Sequence, residues 1–112
     1  MSIIDSGHSQ LLAKAMDTYT LRQRITSSNI ANIDTPGYAR HEVNFEEALR
    51  NVREDGGEML NVNPKISETG EKVVLENELI EMADTQMRVQ LVTRSLRHHF
   101  DMLKTGITST TR

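Results

Sequence analysis

The sequence has no cysteine and no tryptophan, and only two prolines. Without cysteine there is no disulfide framework, no thiolate metal site and no cysteine nucleophile. Tyr19, Tyr38, Phe45 and Phe100 are the whole aromatic content. Leu, Ile, Val and Phe together supply 27 of 112 residues, little above the roughly 20% below which chains tend to stay disordered. So few large apolar groups bury little surface in a lone chain, so a deep enzymatic pocket is not expected. Something outside the chain should complete its hydrophobic interface. Basic charge is not in surplus either: 13 Lys and Arg face 16 Asp and Glu, for a net charge of −3. That excludes a general nucleic-acid coat, which needs a basic surface to displace counterions. No run of 18 apolar residues is present, so no membrane-spanning helix is expected. Met1 to Gln10 carries neither a basic start nor a long apolar run, so no cleaved leader of the Sec type is expected.

What is present falls into three segments, 1–33, 34–74 and 75–112. The last carries the strongest pattern. Leu75, Leu79, Met82, Gln86, Val89, Thr93, Leu96, Phe100, Leu103 and Ile107 follow at alternating steps of four and three. This is an unbroken heptad register, apolar at eight of its ten positions. Acidic residues open the segment (Glu76, Glu78, Glu81, Asp84) and basic ones follow (Arg88, Arg94, Arg97, Lys104), an order that complements a helix dipole. Thirty residues from Leu75 to Lys104 would extend about 45 Å. The pattern reads as one strand of a coiled coil, with Gln86 and Thr93 as polar breaks that fix register.

The first segment reads as a second, weaker helix. Asp5 and Ser6 are candidate N-caps. An apolar face runs through Leu12, Ala15, Met16 and Tyr19, with Leu21, Ile25, Ile30 and Ile33 on the adjoining ridge. Ser and Asn crowd its end and compete for backbone hydrogen bonds. Pro36 stops it by forcing Thr35 into extended geometry, and Pro36-Gly37 fits the centre of a type II turn. Between the helices, residues 34–74 show little sustained pattern. Val43, Phe45, Ala48 and Leu49 suggest a short strand passing into a helical turn, and Asp55-Gly56-Gly57 a flexible turn. This stretch reads as a projecting module, irregular or a small β-hairpin, ordered by its neighbours. The fold class is therefore mainly α: long N- and C-terminal helices pairing as an antiparallel coiled coil around a small central segment.

Catalytic chemistry finds no footing. His98 and His99 are adjacent and diverge by about 100° on a helix, while His8 and His41 stand alone, so no metal site is expected. The acidic cluster from Glu76 to Asp84 serves the helix dipole, and no narrow helix would desolvate a carboxylate enough to tune it. Gly56-Gly57 lacks the lysine of a phosphate loop. No catalytic residue and no cofactor is assigned.

The stretch from Ser27 to Arg40, SSNIANIDTPGYAR, stands apart. Asn29 and Asn32 lie three apart, with Arg22 and Ile25 extending their ridge backwards. One reading is a fraying helix end, capped by Asn32 and closed by the Thr35 to Tyr38 turn. The other is an inter-subunit docking element, since each amide offers two donors and an acceptor for a neighbouring backbone. This stretch resembles the N-terminal signature of the bacterial flagellar axial proteins, which include rod, hook and hook-associated proteins. Residues 39–49 (ARHEVNFEEAL), the run MADTQMRVQ and the ending FDMLKTGI resemble the basal-body rod branch, and within it a proximal rod protein. The resemblance covers about two-thirds of the chain. The chain is shorter than that branch leads one to expect, with the shortfall in the middle.

The resemblance implies a structural subunit of the flagellar proximal rod, polymerising through its terminal helices into a hollow drive shaft. It implies Asn29, Asn32, Thr35, Pro36, Gly37 and Tyr38 as the subunit-contact motif. Leu75, Leu79, Met82, Val89, Leu96, Phe100 and Leu103 would form the helix-pairing seam. Its partners would be other copies, other rod proteins, and membrane-ring and export-gate proteins at the rod base, with no nucleic acid and no small-molecule substrate. The place implied is the periplasm-spanning rod, reached by type III export without leader cleavage. The competing reading is a soluble coiled-coil adaptor or export chaperone.

Overall fold

Two helices that each outrun a typical helix of three turns set the architecture. The computed structural model describes residues 7–110, and the side chains of 7–106. The candidate caps Asp5 and Ser6, and the side chain of Ile107, lie outside these. Helix α1 spans Gly7–Ala31 and helix α3 spans Leu75–Thr110. They run antiparallel. Asn29 Nδ2 donates to Glu78 Oε2 at 3.2 Å, Gln23 Nε2 donates to Gln86 Oε1 at 3.5 Å, and the rings of His8 and His99 lie 6.1 Å apart at the far end.

The segment between them carries strand β1 (His41–Asn44), helix α2 (Glu46–Glu54), a 3-10 turn (Met59–Asn61) and strand β2 (Lys65–Glu68). β1 and β2 pair antiparallel, His41 against Glu68 and Asn44 against Lys65. The segment does not project. It lies along α1, with the Lys14 ammonium donating to the Leu60 carbonyl and Arg22 bonded to both Glu46 and Val43. α1 is thus covered by α3 and by the central segment. Phe45, Val43, Val62 and Tyr19 form the small apolar core.

The result is long and thin. Principal extents are 65 × 30 × 15 Å with a radius of gyration of 17.8 Å, against about 13 Å for a globule of this length. No described helix is long and apolar enough to cross a membrane.

The helix faces differ from those of hydrophobic periodicity. In α1 the most buried residues are mainly polar: Thr18, Arg22, Thr26 and Asn29, at steps of four, four and three. In α3 the covered side runs through Glu78, Met82, Thr85, Val89, Val92, Leu96, His99 and Leu103, and includes Thr93. Met82, Val89, Leu96 and Leu103 of the expected seam lie on that side. Leu75, Leu79 and Phe100 are exposed. Leu79 lies about 100° around the helix from Glu78, whereas Leu75 is the first residue of α3 and Phe100 lies beside His99, which faces His8 at the start of α1.

Candidate subunit-docking site

The signature stretch closes as its residues dictate. Asn32 ends α1, its Nδ2 donating to the Ser28 carbonyl at 2.9 Å, and the Thr35 hydroxyl donates to Asn32 Oδ1 at 3.1 Å. Tyr38 N–H donates to the Thr35 carbonyl at 3.2 Å across Pro36-Gly37. Gly37 takes φ +77°, the left-handed value that position i+2 of a type II turn requires and that glycine adopts freely. Ile33 to Gly37 are exposed.

Asn29 has a different place. It is 1% exposed, and both ends of its amide are used within the chain. Nδ2 donates to the His41 carbonyl at 2.8 Å and to Glu78; Oδ1 accepts from the Tyr38 hydroxyl at 2.8 Å and from His41 N–H at 3.1 Å. It is therefore not available to a neighbour. One side chain of α1 thereby holds the turn, the start of β1 and the start of α3.

Glu78 is wholly buried and takes a charged hydrogen bond from Arg40 Nε as well as the Asn29 amide. A buried carboxylate without such partners would be strongly destabilising. One turn of α3 further on, Glu81 lies 3.9 Å from Arg22. Arg22, also buried, forks onto Glu46, with Nη1 and Nη2 each at 2.8 Å from one carboxylate oxygen, and Nη2 also donates to the Val43 carbonyl at 3.0 Å. Burial pulls the Arg22 pKa down, but its hydrogen bonds and charge pairing with Glu46, aided by Glu81, hold it above the ordinary value. For Arg40 too, burial is outweighed by Glu78 and the pKa is raised. At Glu46 burial would raise the pKa, yet the Arg22 hydrogen bond and nearby positive charge leave it lowered.

Of the expected contact motif, then, Thr35, Pro36 and Gly37 present an exposed turn, Asn32 and Tyr38 are half-buried supports, and Asn29 is interior. The turn and residues 72–73 border a shallow groove of about 310 Å³. Arg22, Arg40, Glu46 and Glu78 carry no apolar signal, so hydrophobic periodicity passes over them. The one trace is that Arg22 and Asn29 lie seven apart on one ridge. Among the described residues no group of three His, Asp or Glu is placed to hold a metal ion.

Comparison with known proteins fits this geometry. Residues 10–38 match the family described as "Flagella basal body rod protein", the part of α1 and the turn that contains Arg22, Asn29 and Tyr38. The flagellar basal body rod protein FlgB of Bacillus subtilis is 26% identical over 92% of this chain and 95% of its own length. FlgB of Borrelia hermsii is 26% identical over 80% of this chain and 87% of its own. FlgB of Yersinia enterocolitica is 44% identical over 43 residues, 38% of this chain and 31% of its own length. The Bacillus alignment runs to 122 positions, more than the chain's 112 residues, so it opens gaps in this chain. The chain is thus similar to flagellar basal body rod proteins, and to the FlgB type among them. These likenesses support a component of the basal-body rod.

Proposed function

We propose, starting from this kinship with basal-body rod proteins, that the chain is a structural subunit that polymerises into the proximal rod and performs no catalysis. The observation that carries the reading is the Asn29–Glu78–Arg40 cluster, which fastens the family-matched segment to the start of α3. A torque-bearing subunit needs its terminal helices fixed to each other before neighbours load them. The exposed turn Thr35 to Gly37, supported by Asn32 and Tyr38, is the contact offered to other subunits. Leu75, Leu79 and Phe100 remain open, so the helix-pairing seam is completed by neighbours rather than by α1. Partners follow from that role: further copies, other rod proteins, and the ring and export-gate proteins at the rod base, reached by type III export.

The test is localisation. In a flagellated bacterium lacking its own FlgB, the chain should restore swimming and be recovered in purified hook–basal bodies. Export to the medium with no recovery in basal bodies would count against a rod subunit. Accumulation as a soluble complex that is never exported would favour an adaptor or chaperone. Replacing Thr35 and Pro36 together by alanine, with Gly37 kept for its left-handed backbone, should leave the helices intact and abolish rod assembly. Normal swimming would overturn the contact assignment.

A further inference from the structure

The Asp55-Gly56-Gly57 turn has no part in the rod role and carries a chemistry of its own. Of all the Asp and Asn residues in the full sequence, only Asp55 is followed by glycine. Joining its side-chain Cγ to the Gly56 nitrogen closes a five-membered ring. The side chain of a following residue ordinarily crowds that nitrogen, and glycine has none. Asp55, Gly56 and Gly57 are exposed, and a Cβ placed at Gly56 would meet nothing within 4 Å. Neighbouring groups therefore do not shield the site.

Backbone conformation is what keeps the ring open. Helix α2 ends in a Schellman motif: Gly57 N–H donates to the Val52 carbonyl at 2.9 Å and Gly56 N–H to the Arg53 carbonyl at 3.3 Å, with Gly56 at φ +78°. The motif fixes Asp55 at ψ −2°, which eclipses the Gly56 nitrogen with the nitrogen of Asp55 itself. Viewed along Cα–C, Cβ then lies about a third of a turn from the Gly56 nitrogen. Ring closure needs those two nearly eclipsed, so the cap must open first. Opening costs little. α2 buries none of its residues, and its bonds to Arg22 are made by its first residue, Glu46, at the end opposite the cap. Elements with so little buried surface open without the rest of the fold.

We infer that Asp55 is a site of spontaneous backbone isomerisation, gated by the α2 cap. With the cap open, Gly56 N attacks Asp55 Cγ and loses its proton, the carboxyl hydroxyl leaves as water, and a cyclic imide forms. Water then opens the imide. Attack at Cγ restores Asp55; attack at the backbone carbonyl leaves isoaspartate, with the chain running through Cβ and no net change in mass. The added methylene shifts Gly56 and Gly57 by one backbone atom, so their cap bonds lose register and the end of α2 stays frayed. The site records how long the chain spends with this turn open.

The full chain, incubated near neutral pH at physiological temperature, is digested with endoproteinase Asp-N, which cuts before aspartate but not before isoaspartate. Cleavage before Asp55 should fade, while cleavage before Asp17, Asp34, Asp84 and Asp101, which precede threonine or methionine, should persist. In guanidinium that unfolds the chain, the loss at Asp55 should run at least about fivefold faster, because the cap no longer closes. Equal rates in folded and unfolded chain would overturn the inference. So would loss at the other aspartates as fast as at Asp55. Asp55→Asn closes the same ring with ammonia leaving, and its conversion to acid is read directly by mass. It should show the same acceleration on unfolding, and a ratio near one would likewise overturn the gating.

Discussion

The two ends of the helix pair are built differently. Where the end of α1 meets the start of α3, the contact is polar and buried: Asn29, Glu78, Arg40, Tyr38 and the His41 backbone form one bonded cluster. Gln23 Oε1 is the one buried side-chain oxygen or nitrogen left without a partner among the described residues. At the other end the rings of His8 and His99 lie 6.1 Å apart, and α3 runs on past the start of α1 with Phe100 and Met102 exposed. Polar bonds are directional and fix register, whereas apolar contact is non-directional and can be satisfied by any well-shaped neighbour. One end therefore sets the geometry of the helix pair, and the other leaves apolar surface exposed.

Substitutions at the two ends should separate accordingly. Arg40→Ala leaves Glu78 buried without its charge partner and should cost about 3–5 kcal/mol of stability, the scale for breaking a buried pair, measured by urea unfolding. Asn29→Ala keeps the charges but strips partners from the Tyr38 hydroxyl and His41 N–H. Its cost should be smaller, about 1–3 kcal/mol, with the Tyr38 turn loosened in NMR spectra. Glu46→Gln tests the middle of the pair. The Glu46 pKa is held below its ordinary 4.5, so its ionised form stabilises the fold above that value. That contribution is lost as pH falls through the folded pKa. Wild type should lose stability there more steeply than Glu46→Gln, and parallel acid limbs would show that the Arg22 fork contributes nothing. Phe100→Ala, at the open end, should change the isolated chain by less than about 1 kcal/mol, because the ring is already 45% exposed. Its effect should appear in rod assembly instead.

Hydrophobic periodicity and turn chemistry made much of this fold legible. α3 begins at Leu75 as expected, α1 ends two residues before Ile33, and the Thr35–Tyr38 turn closes around Gly37. A strand leading into a helix was visible at Val43 to Leu49 and is present as β1 and α2. Less legible was how the pieces meet. α3 is apolar on more than one side, so spacing alone could not say that α1 covers the side of Glu78, Thr85 and Val92 and leaves Leu79 and Phe100 open. Nor could it show that Glu78 differs from Glu76. Both fit the acidic start of a helix, and what buries Glu78 is an amide 49 residues earlier and a guanidinium 38 residues earlier. The Asn29 amide looked outward in sequence because its acceptors and donors arrive only when β1 folds back along α1.

Hydrogen exchange on the isolated chain and on assembled rods tests the contrast between the ends most directly. In the isolated chain, amides of residues 22–29 and 78–89 should be the slowest to exchange, and those of α3 beyond His99 should exchange fast. In rods the latter should become protected as well. Uniform protection along α3 in the isolated chain, or fastest exchange around Asn29 and Glu78, would contradict a subunit pinned at one end and open at the other.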